Sequence, residues 1–195
     1  MHGAIFKGMN LYEDQVFEFS VGKDVILEGS EFFACEFLGL DLSSSSFNNS
    51  RLLDCKFSKC NLSNISLLGS TLRGTVVFDS KVLGVNFSNC NSLSNLSFER
   101  SILDFCSFQS IDLPKIIIKD SSLKEVDMSE GSFVSANFSG SDLSKTFFSK
   151  SDLSKSDFRG AKNYFVDPQF TNIKKAKFSM PEAMSLLSSL DIAVE

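Results

Sequence analysis

Apolar residues recur along this chain every five positions, a period that fits neither a helix, at 3.6 residues, nor a strand, at two. One frame carries Leu27, Phe32, Phe37, Leu42, Phe47, Leu52 and Phe57 and runs on through Val82 to Phe87. A second carries Leu93, Phe98, Leu103, Phe108 and Leu113 and runs on through Phe148 to Phe158. Two residues before most centres the side chain is small, as at Ser30, Cys35, Ser45, Cys55, Ser101, Ala136 and Ser151. A chain with this pattern turns a corner every five residues, with the centre and the small residue both pointing inward. Coils stacked in this way pair their backbones at the inter-strand distance of about 4.8 Å. Large and small inward positions then alternate and fill the interior without voids. The pattern predicts an all-β solenoid over residues 21–178, between an N-terminal segment, 1–20, and a C-terminal segment, 179–195.

Three places depart from the repeat. Phe87 and Leu93 lie six residues apart, so Ser88 to Ser92 must hold a bulge or small loop, a frame break at 88–93. Asn89, Asn91 and Ser92 are therefore candidate partner contacts. Outward positions just after the centre are apolar in the first half, at Phe33, Leu38, Leu53, Leu68, Phe78 and Leu83. Clustered apolar residues on a surface call for a cover. Either the N-terminal stretch from Ile5 to Phe19 lies over them, or Phe33, Leu53 and Phe78 meet a partner. At the C-terminal end, Ser179-Met180-Pro181-Glu182 reads as a helix start, with Ser179 as N-cap and Glu182 closing a capping box. Ala183, Leu186, Leu187 and Leu190 form an apolar stripe, and the tail through Ile192 alternates like a strand. Such a small unit either caps the last coil or pairs with its own copy in a two-fold dimer, with Leu186, Leu187, Leu190 and Ile192 at the interface.

Composition sharpens this picture more than it widens it. The chain has 21 Phe against 2 Tyr and no Trp, the bias expected where an apolar plug recurs and needs no hydrogen-bond partner. A net charge of −5 argues against nonspecific nucleic-acid binding, so no direct nucleic-acid partner is expected. No apolar run approaches the length of a membrane span, and residues 1–20 lack the pattern of a signal peptide, so a cytoplasmic location is expected. Cys35, Cys55, Cys60, Cys90 and Cys106 all fall at the small inward position and read as buried thiols rather than disulfide or metal ligands. His2 is the single histidine, so no Ser–His or Cys–His dyad can form within the array. Asp127, Asp142, Asp152 and Asp157 precede their centres, where a short carboxylate can bond the local backbone of a turn. Triplets such as Asn61-Leu62-Ser63 and Asn137-Phe138-Ser139 are the repeat read in another register, not glycosylation sites. No catalytic residue, metal site or cofactor site is expected, and the chain is not expected to be an enzyme.

Ala136-Asn137-Phe138-Ser139-Gly140, Ser141-Asp142-Leu143-Ser144-Lys145 and Ser151-Asp152-Leu153-Ser154-Lys155 resemble the A(D/N)LXX units of pentapeptide-repeat proteins. That resemblance implies a right-handed quadrilateral parallel β-helix, with four units to a square coil and residues twenty apart stacked on one face. On that geometry Lys59 should stand beside Asp79, Glu125 beside Lys145 and Glu130 beside Lys150. A second resemblance, to the Qnr-type quinolone-resistance proteins, is carried by Phe32 to Ser43, by Asp167-Pro168-Gln169-Phe170, by Ile173 to Phe178 and by Pro181-Glu182-Ala183 before a Leu-rich, short C-terminal α-helix. It implies a rod joined to its copy through the C-termini, which mimics DNA, binds DNA gyrase or topoisomerase IV and protects the enzyme from quinolones. The first of the two projecting loops of many Qnr proteins is missing here, because Phe47 through Leu67 is unbroken repeat. Simple inhibition of the topoisomerase, or a scaffold role toward another partner, is the alternative.

Overall fold

The structure is a computed structural model that describes residues 10–18 and 25–188. Each pentapeptide makes one short extended stretch and one tight turn. The residue two after each centre of the two frames except Phe87 takes a left-handed φ, as at Lys59 (56°), Lys115 (62°) and Lys155 (63°), and this bends the chain through its corner. The aspartates hold these turns as expected. Asp127, Asp142 and Asp152 each accept the N–H of the serine two residues on, at 2.9, 3.2 and 2.8 Å.

Four such turns close a coil, and each stretch lies parallel to the one a coil later. On the first face, β1 (Leu11–Glu13), β3 (Glu31–Phe33), β5 (Arg51–Leu53), β7 (Thr71–Arg73) and β9 (Ser92–Ser94) form a five-stranded sheet. On the second, β2 (Val16–Glu18), β4 (Glu36–Leu38), β6 (Lys56–Ser58), β8 (Val76–Phe78), β10 (Ser97–Glu99) and β11 (Ile117–Lys119) form a six-stranded one. The third and fourth faces are held by isolated parallel bridges, such as Asp41 to Asn61 and Ile26 to Ser46. Bridges also prolong the first two faces, through Asp112, Ser132, Asp152 and Asn172 and through Asn137, Asp157 and Lys177. The result is a parallel β-solenoid ending in one short helical turn.

The centres of both frames are buried, except that Leu93 is partly exposed. Their rings stack from coil to coil: Phe37 on Phe57 at 4.4 Å between centroids, Phe87 on Phe108 at 4.5 Å, Phe158 on Phe178 at 5.1 Å. The small inward residue does more than leave room. The Ser50 hydroxyl donates to the Leu27 carbonyl, Ser141 to Ile118 and Ser156 to Phe133, each across a coil. Cys55 and Cys60 donate weakly in the same manner to the Phe32 and Phe37 carbonyls. Ser, Thr and Cys outnumber Ala at this position because a buried donor there finds an acceptor.

The ends differ from expectation. The array does not begin at residue 21: β1 and β2 are already coil, with Tyr12 stacked on Phe32 at 5.0 Å and Phe17 on Phe37 at 4.8 Å. The described part of the N-terminal segment therefore extends the rod instead of covering its side. At the other end, Ser179 does not cap the helix. Its hydroxyl accepts the Gly160 N–H at 2.9 Å, which ties the chain to the last coil, and the one-turn 3-10 helix Glu182–Met184 starts without a side-chain cap. The helix α1 (Ser185–Ser188) follows directly. No helix among the described residues is long and apolar enough to cross a membrane.

Candidate functional site: a groove that starts at the frame break

Before the break, partners on a face lie twenty residues apart; across it Thr71 pairs with Ser92 and Asn86 with Ser107, twenty-one apart. The added residue is absorbed by a 3-10 turn, Phe87–Asn89, in which the Asn86 side chain accepts the Ser88 N–H and the Cys90 N–H donates back to the Phe87 carbonyl. This local turn restores the second, third and fourth faces but not the first. No bridge joins Ser92 to Asp112 among the described residues, although Asp112 pairs normally with Ser132 below it. The five-stranded sheet ends at β9 for this reason. The gap is a cavity of about 440 Å³ lined by Ser88, Cys90, Asn91, Ser92, Gln109 and Asp112, with the partly buried Leu93 and Ile111 at its apolar side.

The cavity opens into a shallower groove of about 700 Å³ that runs down the same corner, between Ser110, Asp112, Glu130, Lys150, Asp152 and Phe170. Gly131 helps to make it. A Cβ there would lie 2.6 Å from the Phe133 ring and 2.8 Å from the Ile111 carbonyl, so the wall of the groove is bare backbone. At its far end, Phe170 is shared with a pocket of about 310 Å³ that also takes in Phe147 and Phe165. These three rings are about 60 % exposed, against complete burial for most of the other phenylalanines. Four coil steps separate Ser92 from Asn172, roughly 19 Å.

Charge in the groove is mainly negative. Burial works against the charge of Asp152, but hydrogen bonds from the Ser154 amide and hydroxyl and from Asn172 outweigh it, with Lys155 nearby, and hold its carboxyl below its ordinary 3.8. The Lys150 ammonium is taken by Glu130 at 3.4 Å. The thiols stay outside this chemistry. Burial pushes Cys55 and Cys106 up to about 12 and raises Cys90 as well, so each is a protonated filler at neutral pH. Among the described residues, no three His, Cys, Asp or Glu side chains are placed to hold a metal ion.

The residues expected to meet a partner do not form one site. Asn89, Asn91 and Ser92 are exposed around the break. Phe33 is 37 % exposed and lies beyond the first face; Phe78 lies beyond the second, half-buried under the Arg100 guanidinium at 3.7 Å. Leu53 is a correction: it is buried, 5 % exposed, because its column neighbours are the longer Phe33 and Arg73. Arg100 also overturns one expected ion pair, since it takes Asp79 at 2.8 Å and leaves Lys59 outside the pair. Glu125–Lys145 and Glu130–Lys150 form as expected, at 3.2 and 3.4 Å. Leu186 packs against the core of its own array and Leu187 is half-buried; Leu190 and Ile192 lie outside the described residues. The sequence reading missed the aromatic cluster. Its one local signal is Phe147 beside Phe148, an aromatic residue in a slot that elsewhere holds polar or aliphatic ones.

The four-sided coil is built from a repeating five-residue unit, and in this the chain is similar to pentapeptide-repeat proteins. The profile of the pentapeptide repeats matches residues 35–74 and 121–162 as eight copies. The fold is Qnr-like. A trypsin-treated variant of QnrB1, a plasmid-mediated fluoroquinolone resistance protein, superposes with a TM-score of 0.73 at 18 % identity, over 96 % of this chain and 98 % of that one. Full-length QnrB1 gives 0.72 at 17 % identity, over 94 % and 98 %. HetL, a pentapeptide-repeat protein involved in heterocyst differentiation regulation in the cyanobacterium Nostoc, gives 0.66 at 14 %, over 89 % and 86 %. Among curated proteins none matches the chain significantly by sequence.

Proposed function

We propose that this chain is a non-enzymatic docking protein that binds a type II topoisomerase, DNA gyrase or topoisomerase IV, as a DNA mimic, and shields it from quinolones or modulates it. The observation that carries the proposal is the groove from the frame break to Phe170, on a fold similar to that of a fluoroquinolone resistance protein. The groove joins carboxylates at Asp112, Glu130 and Asp152 to an exposed aromatic anchor. Aromatic side chains of this kind dominate the energy of protein interfaces. The test is gyrase supercoiling with and without ciprofloxacin. Supercoiling is expected to recover in the drug as protein is added, or to be inhibited without the drug. Phe170→Asp should weaken either effect roughly thirtyfold, the scale of an interface anchor worth about 2 kcal/mol. No binding and no effect in either condition would overturn the reading. The alternative, a scaffold for another protein, is favoured by the exposed apolar residues of the first half, Phe33 and Leu68, and recovery of another partner but no gyrase subunit from a bacterial lysate would support it.

The rod acts as a homodimer in this proposal, joined through Leu187, Leu190 and Ile192, with Leu186 seating the helix on its own core. Burying each of these side chains is worth roughly 1.5–3 kcal/mol. Leu187→Asp is expected to give a monomer by light scattering with an unchanged far-ultraviolet circular dichroism spectrum. A wild type that is already monomeric at micromolar concentration contradicts it.

A further inference from the structure

Along much of the rod, charges face an opposite charge one coil away: Arg51 with Glu31, Arg73 with Asp54, Arg100 with Asp79, Lys145 with Glu125 and Lys150 with Glu130. One corner breaks this rule. Between the first and second faces, the turn position runs Lys115, Ser135, Lys155, Lys175 down the C-terminal half. The Lys155 N–H donates to the Lys174 carbonyl, so the two lysine turns are neighbours. Lys174 precedes Lys175, and Lys177 ends the adjacent column of Asn137 and Asp157. All five lysines are exposed, and none is within ion-pair distance of a carboxylate among the described residues. Of the carboxylates near the strip, Asp157 is bonded to Arg159 at 2.6 Å with Lys177 nearby, and Asp152 is bonded to Ser154 and Asn172 with Lys155 nearby. The same corner at the other end of the rod carries Glu13, Asp14 and Glu36. The net charge of −5 therefore hides a local basic strip on an otherwise acidic surface.

Like charges stacked one coil apart, about 4.8 Å, repel each other and do not stabilise the fold. We propose that this lysine strip is a docking strip for a polyanion, the phosphodiester backbone of nucleic acid, at the C-terminal end of an otherwise acidic rod. Two features favour phosphate over an acidic protein. Among the described residues of the strip the single exposed large apolar side chain is Ile117, at its head beside Lys115, whereas a protein interface needs an apolar centre. It offers ammonium groups with serine hydroxyls between them, at Ser135 and Ser154, the donors that contact phosphates without reading bases. From Lys115 to Lys175 is three coil steps, roughly 14 Å, enough for about three phosphates. This proposal is independent of the topoisomerase reading.

The experiment is fluorescence anisotropy of a labelled 20-base-pair duplex titrated with the full chain at several salt concentrations, beside a labelled polyglutamate peptide. The duplex is expected to bind in the micromolar range at low salt, with a slope of log affinity against log salt of about −2 to −3. Lys155→Asn/Lys175→Asn is the key variant, because asparagine tolerates the left-handed φ of both positions, 63° and 62°. It should weaken duplex binding about tenfold and bring the slope nearer to zero by about two. Lys174→Glu, in the same turn but at a residue without a left-handed φ, should weaken it by a similar factor, with circular dichroism reporting that both variants stay folded. Absence of duplex binding at low salt overturns the proposal, as does a folded double variant that binds as well as wild type. Tighter binding of polyglutamate than of duplex overturns it in favour of an acidic protein partner.

Discussion

Phe108→Ala is expected to lower stability by about 3–5 kcal/mol, the cost of emptying a large aromatic site in a packed core. Phe108 is fully buried, stacked on Phe87 at 4.5 Å and edge-on to Phe98 at 6.3 Å. Its coil lies next to the break, where the first face has no bridge from Ser92 to Asp112. Side-chain packing therefore carries more of the coupling between the two halves of the rod here than elsewhere. The loss corresponds to a fall in Tm of about 6–20 °C for a chain of this size. Because a solenoid is coupled only between neighbouring coils, the melting curve should also split into two transitions. Thermal circular dichroism reads both effects. Phe108→Leu, which keeps most of the volume, should cost less than half as much and melt in one step. An alanine variant that melts like wild type would mean that the coil collapses onto the cavity at no cost.

Ser101→Ala tests a different element of the core. On the corner after the second face, buried serines form a ladder: the Cys60 N–H donates to the Ser80 hydroxyl at 2.9 Å, Ser80 N–H to Ser101 at 3.1 Å, Ser101 N–H to Ser121 at 3.0 Å and Ser121 N–H to Ser141 at 3.1 Å. Removing the Ser101 hydroxyl strips the Ser80 amide of its partner in a site closed to water. A buried donor left unpaired costs about 1–3 kcal/mol, and the substitution removes no more than one oxygen of packing. Ser101→Thr keeps the hydroxyl, and threonine already fills this position at Thr75, Thr146 and Thr171. Chemical denaturation of the two variants should separate them by at least 1 kcal/mol. Equal stabilities would show that the ladder contributes nothing beyond size.

The period of five identified the coil, its inward residues and its turns because each depends on side chains at most two positions from a centre. Phe32, Cys55 and Asp142 could be assigned correctly from their own pentapeptides alone. The extra residue at 88–93 could be located in the same manner, since it shifts a local frame. What it does could not. The 3-10 turn restores the second, third and fourth faces and leaves the first open, a result that depends on how the next coil meets it. Ser179 shows the same limit: a capping box is a sound local reading of Ser179-Met180-Pro181-Glu182, but the Gly160 amide on the last coil competes for the serine and takes it.

The sequence by itself determined that this chain is a stack of five-residue turns around a phenylalanine-rich core, with aspartates pinning the corners, because those features repeat locally and need no distant partner. The tertiary structure alone decided which outward residues share a corner. Coils bring together side chains twenty or twenty-one positions apart, and in the printed chain these are separated by nineteen or more unrelated residues. Hence Leu53, read as a surface contact, is buried between Phe33 and Arg73, while Phe147, Phe165 and Phe170 gather around one pocket. Hence also five lysines scattered from 115 to 177 fall along one edge, and a chain that is acidic by count has a basic strip at one end.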